Sequence, residues 1–144
     1  MLKGIPSILS PELLKILTEM GHGDEIVIAD GNFPAASIAQ RLIRLDGHGV
    51  PEVLEAVLKV FPLDIYVEKP VMLMQVVPGD DVETPIWDKY DKIIRASGEK
   101  FDGFDNIERF AFYERAKKAY AVIATSEAAL YANIILKKGI VVKK

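Results

Sequence analysis

The sequence predicts an α/β fold, a single-domain layered sandwich with a mostly parallel central sheet between helical layers. Two patterns carry this expectation. Apolar residues at helical spacing alternate along the chain with short apolar runs of strand length, the order from which parallel sheets are built. The run Ile26, Val27, Ile28 is consecutively apolar, as in a strand covered on both faces. At 144 residues, half of them hydrophobic, the chain has the size of one compact domain, expected over 1–144, with no internal repeat or low-complexity segment.

Ser10 and Pro11 read as an N-cap and a first helical position, and Leu13, Ile16, Leu17 and Met20 recur at helical spacing until Gly21 stops the helix. Glu25 to Ala29 reads as a central strand, ended by Asp30 and a turn of Gly31, Asn32, Phe33 and Pro34. Ala35 to Gln40 reads as a short helix and Leu42 to Leu45 as a strand. Gly47 to Val50 is a loop into a helix from Pro51 that buries Val53, Leu54, Val57, Leu58 and Phe61. Leu63 to Val67 and Val71 to Val77 both look like strands, the second ended by Pro78 and Gly79. Thr84 and Pro85 open a helix with Ile86, Trp87, Tyr90, Ile93 and Ile94 on one side and alternating charges facing water. Ser97 to Asn106, polar and glycine-containing, is expected to be a mobile loop. The last third reads as a helix from about Ile107 to Lys117, a strand over Tyr120 to Ala124, and a strand over Tyr131 to Leu136.

A net charge of −3 argues against a nucleic-acid footprint, and Lys137, Lys138, Lys143 and Lys144 read as a solvated tail. Without cysteine there is neither a disulfide framework nor thiolate chemistry. The start MLKGIPSILS lacks the apolar core of a signal peptide, so a cytoplasmic location is expected. No apolar run approaches the roughly 18 residues that span a bilayer, so no membrane insertion is expected. Only His22 and His48 are available as imidazole ligands, so no metal is expected. Nucleotide cradles have no support, since neither G-x-x-x-x-G-K-[ST] nor G-x-G-x-x-G follows a strand. Neither Ser37 nor Ser126 lies in a G-x-S-x-G elbow, which disfavours acyl transfer.

What remains is proton transfer by histidine and carboxylate. His22 lies between Gly21 and Gly23, open to close approach, and histidine titrates near neutrality. Alternatively it caps the preceding helix. Asp30 ends a strand where α/β proteins hold ligands, so it and His22 are expected to face one small pocket. Equally, Asp30 before Gly31 and Asn32 suits an Asx turn. Arg109 offers a fork for two oxygens of a polyol, or else pairs with Asp105 or Glu108. Tyr131 and Asn133, two apart on the expected last strand, would project to one face. Phe33, Phe112, Tyr113, Tyr120 and Trp87 are stacking candidates or core, and His48 reads as a loop histidine.

The ordered motifs LSPELLK (9–15), MGHGDE (20–25), ADGNFP (29–34), RFAFYERAKKA (109–119) and YANIILKKG (131–139) resemble the L-fucose mutarotase and D-ribose pyranase family over essentially the whole chain. The resemblance implies an RbsD-like fold and a cofactor-free isomerase that interconverts sugar anomers or ring forms. It places His22 as the acid/base and Asp30, Arg109, Tyr131, Ala132 and Asn133 as monosaccharide-binding residues. Arg109 matches an arginine of the fucose branch, at a position where the ribose branch carries histidine. The chain departs from the family at Ser126, within T-S-E instead of T-G-E, and at Ala132, where fucose relatives often have glycine. Family members form rings, commonly decamers, with sites near subunit contacts, so a ring homo-oligomer is implied. Expected, then, is exchange of the α and β anomers of L-fucose by ring opening and reclosure. The alternatives are D-ribose pyranase activity or a non-catalytic sugar-binding protein.

Overall fold

The computed structural model describes residues 1–143. The elements follow in the order α1 (Pro11–Glu19), β1 (Glu25–Ala29), α2 (Ala35–Ile38), β2 (Leu42–Leu45), α3 (Val50–Leu58), β3 (Val71–Met74), α4 (Pro85–Ala96), β4 (Asp105–Ile107), α5 (Arg109–Lys118), β5 (Ala121–Thr125) and β6 (Ile134–Lys137). One six-stranded sheet has the order β2-β5-β1-β6-β3-β4. Strands β2, β5 and β1 are mutually parallel, β3 and β4 are parallel, and β6 runs antiparallel to both β1 and β3. Five strands therefore point one way, and β6 alone points back.

Alternation along β1 assigns the two layers. Ile26 and Ile28 face a core built with Leu13, Leu17, Val53, Leu54, Tyr90 and Ile94 from α1, α3 and α4. Val27 and Ala29 face the opposite core, with Phe33, Ala35, Phe112 and Ala116 from the α2 and α5 side. Both faces of β1 are covered, which is why its apolar run is unbroken.

Four expectations are corrected. Leu63 to Val67 is not a strand: only Leu63 makes a single bridge, to Lys138. The Asp64 carboxylate accepts from the Tyr66 N–H at 3.0 Å, an Asx-type turn that bends the chain outward and leaves Ile65 and Tyr66 exposed. Gly139 fits under this turn because a Cβ there would collide with the Leu63 carbonyl and Asp64 Cα. The expected loop at Ser97 to Asn106 is held down: Phe101 is buried edge-on against Phe104, and β4 begins at Asp105. β3 ends at Met74 and does not reach Val77: the Gln75 N–H makes the last bond of the β3–β4 ladder, to the Ile107 carbonyl, and Val77 already belongs to the turn closed by the Asp80 N–H on its carbonyl. β6 starts at Ile134, so Tyr131 and Asn133 precede the strand.

The basic end is not a free tail either. Lys138 Nζ donates to the carbonyls of Leu17 at 2.7 Å and Met20 at 2.6 Å, closing the C-terminus of α1, and Lys137 lies 3.8 Å from Glu25. Lys144 lies outside the described residues. Among the described residues no helix is long and apolar enough to cross a membrane.

Candidate functional site

Two polar clusters occupy opposite edges of the sheet. At the carboxyl edge β1 delivers Asp30. Because β6 runs backwards, its start delivers Asn133 to the same edge, beside β1. The segment after β3 and the first residue of α5, Arg109, complete an open cleft of about 520 Å³, which Tyr113, Tyr131 and Asp80 also line.

Asp30 and Asn133 are locked together. The Asp30 N–H donates to Asn133 Oδ1 at 2.7 Å, and Asn133 is 5% exposed. Asp30 Oδ1 accepts from the Asn32 N–H at 3.0 Å, so the Asx turn is real and coexists with the cleft. Burial raises the Asp30 carboxyl above its ordinary value. The Asn32 and Phe33 N–H groups and the Asn133 side chain pull the other way, while Glu127 nearby adds to the rise.

Tyr131 has φ 55, the only left-handed non-glycine residue among those described. This turn, and not a shared strand face, puts Tyr131 and Asn133 on the same cleft. The Tyr131 carbonyl accepts from Trp87 Nε1 at 2.8 Å, and the Ala132 carbonyl accepts from the Tyr90 hydroxyl at 2.6 Å. Ala132 itself is buried, so its side chain is packing material. The Arg109 guanidinium lies 5.5 and 5.7 Å from the ring centres of Phe110 and Tyr113. Glu108 caps α5, accepting from the N–H groups of Phe110 and Ala111 at 3.0 Å each. Of the aromatic candidates, Phe33 and Phe112 are core, Trp87 is an anchor for the Tyr131 backbone, and Tyr120 sits 3.8 Å under the Arg41 guanidinium. His48 pairs with Glu52 at 3.0 Å as a loop histidine.

His22 belongs to the opposite edge. Its Nε2 lies 2.9 Å from Asp64 Oδ1, with the imidazole 43% and the carboxylate 3% exposed. Burial by itself would push Asp64 up. The His22 ring, the Tyr66 N–H and the Lys137 charge outweigh it and hold the carboxyl below its ordinary value. An ionised Asp64 can only accept, so Nε2 carries the hydrogen and Nδ1 is left for a ligand. The helix-capping duty that His22 would otherwise serve is performed by Lys138. Gly23 is required by its φ of +90, in a turn whose N–H donates to the Lys138 carbonyl at 2.8 Å.

His22 and Asp30 therefore do not share a pocket within one chain. The five residues of β1 separate them by roughly 17 Å at about 3.3 Å per residue. Sequence reasoning also missed Asp64 and Asp80. A lone charge inside the apolar run Leu63 to Val67 was the available signal for Asp64. Among the described residues no three His, Cys, Asp or Glu side chains gather as a metal site.

Residues 3–141 match the model of the RbsD / FucU transport protein family. The chain belongs to the RbsD / FucU family. It is 57% identical to the fucose mutarotase of Homo sapiens over 145 residues, covering 96% of this chain and 94% of that one. Among solved structures it is similar to the fucose mutarotase of Streptococcus pneumoniae in complex with L-fucose. The TM-score is 0.93 and the identity 54%, with 98% of this chain and 100% of that chain covered. The Bacillus subtilis RbsD complexed with D-ribose shares the fold, with a TM-score of 0.71 at 24% identity, covering 99% and 100% of the two chains.

In this RbsD / FucU chain the half-buried Asp30, when ionised, weighs against stability. A carboxyl whose folded pKa is raised binds its proton more tightly in the native state, so its penalty is complete above the folded pKa and absent below the unfolded one. Asp30→Asn is expected to melt at a higher temperature than wild type at pH 7, with the advantage gone at pH 3. Thermal melts at the two pH values check this.

Proposed function

We propose that the chain is an L-fucose mutarotase whose working site is shared between two copies. Its one domain spans 1–144 and acts in the cytoplasm, in a ring homo-oligomer such as a decamer. The observation that carries the shared site is the separation of its halves: a His22–Asp64 pair at one sheet edge and the cleft of Asp30, Arg109, Tyr131, Ala132 and Asn133 at the other. Exposed Ile65 and Tyr66 flank His22, while exposed Phe110 and Leu130 flank the cleft. Two different apolar patches on opposite edges suit a head-to-tail contact, and such contacts close into rings when the rotation allows.

In this reading Asp30, Arg109 and Asn133 hold the sugar hydroxyls, Ala132 contributes through its backbone, and Tyr131 and Tyr113 wall the cleft. His22 of the facing copy, protonated at both ring nitrogens, gives its Nδ1 proton to the ring oxygen as the C1–O bond breaks, while the anomeric hydroxyl passes its own proton to solvent in the open cleft, from which the carbonyl oxygen regains one on reclosure. Rotation about C1–C2 then presents the other face of the aldehyde. Reclosure returns the ring-oxygen proton to His22, so the cycle consumes nothing. D-ribose remains a second candidate substrate, because Ala132 stands where the fucose relatives often have glycine.

Exchange NMR on the anomeric protons of equilibrated L-fucose, with D-ribose alongside, tests both. The shared site is tested by mixing inactive His22→Ala and Asp30→Asn subunits after dissociation. A head-to-tail ring regains activity at about one quarter of its contacts. No recovery in verified mixed rings rejects the shared site, and no exchange of either sugar by wild type rejects catalysis.

A further inference from the structure

We propose that Asp80, which none of the family motifs above contains, is a positioning residue of the sugar cleft: it holds the Tyr131 hydroxyl at the centre of the turn Val77 to Asp80. The inference rests on the sugar-binding reading of the cleft. The turn is built around that hydroxyl. The Asp80 N–H donates to the Val77 carbonyl at 3.0 Å, closing the turn. The Val77 N–H donates to the Tyr131 hydroxyl at 3.2 Å, and the hydroxyl donates in turn to Asp80 Oδ2 at 2.6 Å. A short bond from a neutral hydroxyl to a carboxylate is of the strong, charge-assisted kind.

Two sets of anchors thus fix one residue. Trp87 and Tyr90 of α4 hold the backbone of residues 131 and 132 in the left-handed turn. Asp80 holds the other end of the side chain, so the ring of Tyr131 is a fixed wall of the cleft. The same bond defines what Tyr131 offers a sugar. Its only hydroxyl proton is engaged by Asp80, so toward a ligand it presents a ring surface and a lone pair, not an acid. This leaves the proton traffic to His22. Asp80 is exposed and sits one residue after Gly79, whose φ of +89 sets the turn, so its replacement does not disturb a core.

The test combines one readout independent of activity with one that depends on it. In Asp80→Ala, amide exchange at Val77 is expected to accelerate, and the KM for L-fucose in anomer exchange to rise about tenfold with kcat little changed. Asp80→Asn, whose amide oxygen still accepts from the hydroxyl, is expected to restore most of both. Tyr131→Phe should raise KM similarly, and the Asp80→Ala, Tyr131→Phe double variant should be no worse than either single change, because the two act through one bond. Wild-type KM in Asp80→Ala, or additive losses in the double variant, overturns the proposal. Unchanged Val77 exchange in Asp80→Ala overturns it too. Absence of anomer exchange in wild type would instead strike the mutarotase reading, while the Val77 amide would still report whether the Tyr131 latch exists.

Discussion

Replacing His22 by alanine is expected to lower protein-dependent exchange of L-fucose anomers by on the order of 10² to 10⁴, the usual contribution of a positioned acid/base. The fold should survive. The imidazole is 43% exposed and lies against the Asp64 carboxylate and the exposed Tyr66 ring, whose centre is 5.4 Å away, so its removal opens no core cavity. Inversion-transfer NMR at the two anomeric protons reads the rate, and circular dichroism with native mass analysis reads the fold and assembly. Because anomers exchange slowly without help, the residual rate in the variant has a defined floor. Exchange at wild-type rate in a folded, assembled His22→Ala would remove His22 from the mechanism.

Neutralising Asp64 is the second large effect. Asp64→Asn keeps the volume but not the charge that faces the imidazole when it carries two protons, and the amide can turn its NH₂ toward Nε2 and favour the wrong tautomer. A loss on the order of 10² in exchange is expected, somewhat less severe than for orienting aspartates in catalytic triads, where about 10⁴ is lost. Stability gives an independent check whose sign is fixed. The folded pKa of Asp64 lies below the unfolded one, so its ionised form stabilises the protein above roughly pH 4, and that contribution vanishes as the pH falls through the folded value. Wild type should therefore lose more stability than Asp64→Asn between pH 5 and pH 2.5 in thermal melts. Parallel curves would show that the His22–Asp64 pair carries no charge coupling.

Local rules reached as far as local causes act. β1, α1 and α4 were legible because burial periodicity and, in the helices, Pro at the first turn are written within a dozen residues, with Ser10 capping α1; α5 starts at Arg109 because the expected first residue, Ile107, is taken by β4. The failures come from long-range causes. Asp64 hides 42 residues from His22, within a run whose composition is that of a strand; the Asx turn at its own side chain wins over β propensity. Tyr131 and Asn133 were placed on one cleft for a mistaken reason, since a left-handed turn held by Trp87 and Tyr90 does what strand alternation was expected to do. Most instructive is the pair His22 and Asp30. Eight positions apart, they look like neighbours, yet an extended strand carries its ends to opposite edges. Proximity in sequence across a strand is the surest way to be far apart in a protomer.

The reversed strand β6 also bears on how the molecule comes into being. It is the last of the six strands to emerge during synthesis, but it sits inside the sheet between β1 and β3. Without β6 the strands of this sheet fall into two groups with no ladder between them, β2-β5-β1 and β3-β4, each with an open apolar edge able to pair with the wrong partner. Insertion of β6 joins the halves and, in the same event, carries residues 131–133 into the cleft. Closure of the sheet and completion of the cleft thus depend on the same segment, from Tyr131 onward, so a chain cut short before residue 131 lacks both.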